Sequence, residues 1–125
     1  MNWVGQAIAT FGQSIGMPDL ALDEDGSLRL ELEADVAIEI LDVPDAPLPE
    51  VLVTRMQPLG YASERQIRKA LRLTNARALA GWTVQAALLD RELVFTLRIA
   101  QRQFAPDTLE QALSELEQLC EKAAA

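Results

Sequence analysis

Two blocks of apolar alternation, residues 28–56 and 82–102, constrain this chain more than any other feature. A period of two belongs to strands with one buried face, and no helix can satisfy it. In the first block, Leu28, Leu30 and Leu32 alternate with Arg29, Glu31 and Glu33, and residues 36–40 repeat the pattern after Ala34-Asp35. A connector with Pro44, Pro47 and Pro49 leads into a third expected strand at 51–56, which makes an antiparallel meander. In the second block, Trp82, Val84, Ala86 and Leu88 share one face, as do Leu93, Phe95, Leu97 and Ile99 beyond Asp90-Arg91.

The segments around these blocks read as helices. Trp3, Val4, Ala7, Ile8, Phe11 and Ile15 fall at helical spacing over residues 2–16, and Gly16-Met17-Pro18 stops the run. Between the blocks, Ser63 with Gln66 has capping-box spacing and opens a helix expected over 63–79, ended by Gly81. Ile67, Ala70, Leu71, Thr74 and Ala78 form its apolar side, while Arg65, Arg68, Lys69 and Arg72 crowd the other. Asp107 and Glu110 have the same capping spacing at the last helix, where Leu109, Leu113, Leu116 and Cys120 make an apolar ridge. The expected fold is α+β: one domain spanning 1–125, an α-β-β-β-α-β-β-α sandwich with a mostly antiparallel sheet. A length of 125 residues supports one such core and not two.

Several strands look apolar on both faces, as in Val51-Leu52-Val53 and Ala86-Ala87-Leu88-Leu89. A sheet with helices on one side needs only one apolar face, so the surplus points to another layer, and a second copy of the chain would supply it.

Charge and residue usage narrow the function. The chain has no histidine and one cysteine, which removes His-based triads, most zinc sites and an internal disulfide framework. No P-loop, GxGxxG or nucleophile elbow occurs, and the acids alternate outward or sit in turns, so no enzyme activity, cofactor or metal is expected. Taking Gly26 as position six of a calcium loop puts Ala21 at position one and Leu32 at position twelve, so residues 23–27 read as a solvated turn. The net charge of −8 disfavours a nucleic-acid partner. That charge is uneven: residues 1–50 hold 11 acids and one base, residues 51–102 nine bases and three acids. The basic helix flank reads first as a solvated face that can pair with acids on the same or another subunit. Residues 1–18 lack a basic n-region and no long apolar run follows, so neither a secretory signal nor a membrane span is expected.

The whole pattern resembles the class I type III secretion chaperones, the Tir chaperone (CesT-like) family of Gram-negative bacteria. The resemblance rests on the amphipathic first helix and on Leu20-Ala21-Leu22-Asp23-Glu24-Asp25-Gly26-Ser27-Leu28-Arg29-Leu30. Leu71-Arg72-Leu73-Thr74-Asn75, Leu88-Leu89-Asp90-Arg91-Glu92-Leu93-Val94-Phe95 and the acidic closing helix complete it. The proline-rich connector departs from the family pattern. The resemblance implies a homodimeric, cytosolic, ATP-independent bacterial chaperone that holds the N-terminal segment of a secreted effector and helps deliver it to the export machinery, whose ATPase is a further possible partner. It implies an effector groove at Val4, Ile8, Phe11, Leu30, Ile38 and Val53, and a dimer seam at Trp82, Val84, Leu88 and Phe95. The alternative is a generic α+β dimeric adaptor with no secretion role.

Overall fold

A computed structural model describes residues 3–32, 35–45, 47–58, 63–75, 82–89 and 91–124. The elements run α1 (Trp3–Ser14), β1 (Ser27–Glu31), β2 (Ala37–Val43), β3 (Glu50–Pro58), α2 (Ser63–Asn75), β4 (Thr83–Leu89), β5 (Glu92–Ala100) and α3 (Pro106–Ala124). This is the expected α+β order. The expected extension of the second helix to Leu79 and its stop at Gly81 lie outside the described residues, as do the side chains of Ala70, Leu71 and Thr74.

The strands form one sheet in the order β1-β2-β3-β5-β4, antiparallel at every junction. The chain leaves β3 through α2, lays β4 on the far edge, and returns with β5 into the gap beside β3. Ile40, Val53 and Leu97 lie side by side in register, and so do Val51 and Ile99, which makes continuous apolar rows across one face. α3 packs over β3 and β5, α1 packs on α3, and α2 contacts α3 and β4. Between helices and sheet lies the main core, with Phe95, Ile8, Ile40, Leu97, Leu109 and Leu116 essentially inaccessible to solvent. Removing each such side chain from water contributes roughly 1.5–3 kcal/mol.

The ends of α1 explain how it is held. At its start, the Trp3 indole Nε1 donates to the Gln101 carbonyl at 2.9 Å, tying the helix to a short 3-10 turn, Gln101–Gln103. At its end, Gly16 takes a φ of +80° and Met17 N–H donates back to the Gly12 carbonyl at 2.7 Å. The returning loop passes so close to Gly12 that a Cβ there would collide with the Met17 carbonyl and Leu20 Cβ. Only glycine fits that close approach.

The acidic turn closes as the sequence suggests. Gly26 has φ +81°, its N–H donates to Asp23 at 2.9 Å, and Asp25 Oδ1 accepts from the Ser27 hydroxyl and backbone N–H at 2.7 and 3.2 Å. These bonds, the hydroxyl first, hold the Asp25 carboxyl below its usual range. The start of α3 differs from the capping-box expectation. Helix bonding begins with Leu109 N–H on the Ala105 carbonyl, so Asp107 lies inside the first turn, where its charge complements the helix dipole.

Candidate partner-binding surface

The six expected groove residues come together, but mostly on the inside. Val4, Ile8, Phe11, Ile38 and Val53 are buried within the main core cluster, and Leu30 is half-buried against it. α1 packs on α3, and Val4, Ile8, Phe11, Ile38 and Val53 share one buried cluster with Leu109 and Leu116. The expected seam residues divide similarly. Trp82, Val84 and Phe95 belong to the core, while Leu88 is 48% exposed on the edge strand β4. Alternation sorted the strand residues into two classes correctly, and the structure settles which class faces in.

What lies outside is a different set. Trp3 is 49% exposed despite its hydrogen bond, and Ile15 and Met17 stand out at the other end of α1. Leu32 follows β1, and Leu41 lies on the face of the sheet away from α1 and α3. In sequence, Trp3 and Ile15 flank the buried stripe of α1, and Leu41 breaks alternation directly after Ile40. Of these, Leu41 departs from its pattern in sequence, while Trp3 and Ile15 fit the α1 period and differ from the buried stripe only in lying at its two ends.

An open hollow of about 730 Å³ lies between Gly5 of α1, the turn at 21–26 and the end of β2 at 41–45. Leu22, Leu41 and Val43 give it an apolar wall, and Asp23, Glu24, Asp25 and Asp45 rim it. Asp42, buried at its inner edge, accepts from Gln101 Nε2 at 2.8 Å. Among the described residues no three acidic or thiol side chains converge to hold a metal, and no helix is long and apolar enough to cross a membrane.

The remaining sheet face is mixed. Ala37, Met56 and Val94 make a small buried row. The next row holds Glu39, Thr54 and Thr96, with the two threonine hydroxyls 3.0 Å apart. Arg29 bridges Glu31 and Glu39 at 2.7 Å each, and Arg98 joins Glu50 at 2.7 Å and Gln85 at 2.9 Å. On the core side, burial pushes the Cys120 thiol up to about 11 against the opposing pull of Arg55, so this cysteine behaves as a small apolar residue.

This architecture is that of the type III secretion chaperones. A chain of the ExsC–ExsE complex matches it with a TM-score of 0.75 at 21% identity, covering 95% of this chain and 89% of that one. A chain of the HopA1–SchA chaperone–effector complex gives 0.70 at 14% identity, covering 96% and 92%. The Yersinia pestis secretion chaperone SycH, in complex with a fragment of YscM2, gives 0.73 at 15% identity, covering 97% of each chain. Among curated proteins, none matches in sequence. The family model of the type III secretory system chaperone SycN matches residues 3–124, and the chain belongs to that family.

Proposed function

We propose that this chain acts in the bacterial cytosol as a homodimer, holding the N-terminal segment of a secreted effector extended and export-competent without nucleotide hydrolysis. Family membership supplies the chaperone role. The observation that carries the binding mode is that Trp3, Ile15, Met17 and Leu41 stay in solvent although the described core closes around Phe95 and Leu97. An extended client segment covers such scattered apolar side chains by many modest contacts, and the acidic rim of the neighbouring hollow orients it. The SchA structure is a chaperone–effector complex and SycH is held with a fragment of another protein, which supports the same use here. The exposed Leu88 and the free edge of β4 suit the dimer seam. Delivery to the secretion-system ATPase would follow from the same role.

The test is purification from a bacterium that carries its secretion system, with mass measured by light scattering. The expected particle contains two copies of this chain and one secreted protein. Trp3→Asp with Leu41→Asp should keep the dimer and weaken client binding by roughly tenfold or more. A folded dimer with no secreted client overturns the chaperone reading in favour of a general adaptor. Unchanged client affinity in the double variant overturns the surface.

A further inference from the structure

β3 carries a charge where its pattern calls for an apolar side chain. Alternation puts Arg55 on the same face as Val51 and Val53, and in register it lies between Ile38 of β2 and Phe95 of β5. Both neighbours are buried in the main core. Arg55 is half-buried, so part of its side chain borders solvent, but its Nε is shut away and has no hydrogen-bond partner. A buried donor left in this state costs the fold stability, and such groups are few in native structures.

The other ionisable residue at a core-facing position of the described strands is Asp42, in register with Val51. It is buried and accepts from Gln101 Nε2 at 2.8 Å, so the chain itself supplies its partner. Arg55 has no such counterpart. Its neighbour on α3 is the Cys120 thiol, which burial keeps protonated and uncharged at neutral pH. Glu117 and Glu121 act on the same thiol, yet both are exposed, and among the described residues neither forms an ion pair with Arg55. On the strands, Glu31 and Glu39 are engaged by Arg29, and Glu50 by Arg98. The fold thus holds a guanidinium at the border of its core and gives it no anion.

We infer that Arg55 is a client-binding residue, whose guanidinium receives the carboxylate of an aspartate or glutamate side chain in the bound effector segment. The inference rests on the chaperone reading above and adds an anionic contact to the apolar ones. Arginine suits the task, because its planar fork meets a carboxylate through two parallel N–H bonds, from Nε and one Nη. Rotation about the torsions of the side chain brings that edge to the open side. Such a site also discriminates: a segment with an amide or apolar side chain at the same place leaves the buried donor unpaired.

The probe is a synthetic peptide covering the N-terminal segment of the secreted protein that copurifies with the chain. Calorimetry compares its affinity for the wild type and for Arg55→Met, which keeps an unbranched apolar stem and removes the charge. The peptide should bind Arg55→Met roughly tenfold or more weakly. The urea midpoint of the free variant should hold or rise, because an unpaired buried donor has been removed. Each acid of the peptide is then replaced by its amide in turn. One replacement should weaken binding to the wild type by about tenfold and leave binding to Arg55→Met unchanged, which is the signature of two groups that pair.

Equal affinity of the peptide for wild type and Arg55→Met overturns the assignment and leaves the chaperone reading standing. Weaker binding to the variant with no acid of the peptide coupled to Arg55 overturns it as well, since the loss then comes from a repacked core. A wild-type chain that copurifies with no secreted protein overturns the chaperone reading, and this inference with it.

Discussion

The two faces of the sheet are built from the same five strands and have opposite characters. Toward α1 and α3, Ile40, Val53 and Leu97 run across three strands, and the neighbouring Phe95 and Ile99 are equally inaccessible. Away from them, adjacent positions hold Glu39, Thr54, Thr96 and Arg98, with Ala37, Met56 and Val94 closed over among the described residues. One face is a continuous apolar layer packed under α3. The other joins threonines, ion pairs and isolated leucines whose contacts remain available. The difference separates the residues that hold the fold from those free to meet something else, and it runs between successive positions of a single strand.

Substitutions on the two faces should therefore differ sharply. Phe95→Ala empties the middle of the core, and urea unfolding should show a loss of about 3–5 kcal/mol. A loss below 1 kcal/mol would mean that the core face is not the stabilising one. Gly12→Ala should cost about 1–3 kcal/mol, because the returning loop must move off a new methyl group. The same assay checks it, and an unchanged midpoint would contradict the close approach of Met17 and Leu20.

Cys120 gives the core face a pH signature. Its folded pKa lies near 11 against an ordinary 9.0, so its contribution is whole below pH 9 and declines as pH rises toward 11. Cys120→Ala should have a lower midpoint at neutral pH and a shallower loss between pH 9 and 11 than wild type. Parallel slopes would mean that the thiol is not buried. Smallest of all, Arg98→Ala on the outer face breaks its contacts to Glu50 and Gln85 and should change stability by only about 0.2–1 kcal/mol. A larger loss would erase the contrast between the faces.

Much of this was legible in the sequence because strand and helix periods are geometric. The period of two at 28–40 and 82–99 located β1, β2, β4 and β5, and the 3.6-residue stripe located the buried side of α1 and α3. What the period leaves open is which class of a strand faces the helices, since either parity satisfies alternation. The period therefore leaves Ile38 and Val53 on either face, and the structure puts both in the core. Trp3 and Ile15 fit the period of the α1 stripe and are exposed all the same, Trp3 as the first residue of α1 and Ile15 just beyond its last. The start of α3 was misread by two residues because capping spacing is a pattern of residue types, while the cap itself is set by which carbonyl receives the first helical N–H.

The sheet order has a consequence for how the protein is made. β3 needs β5 at its side and α3 over its apolar row, and both are encoded more than thirty residues downstream. When the ribosome has produced the β1–β3 meander, Val51 and Val53 have a strand on one side only. At ~5–20 residues per second, the 66 residues from 59 to 124 take about 3–13 s more to synthesise. During that interval the nascent chain carries an apolar face not yet covered by α3 and an unpaired β3 edge. A protein whose work is to shield others' exposed segments thus spends its own first seconds as a candidate for shielding, until its last helix arrives to close the layer.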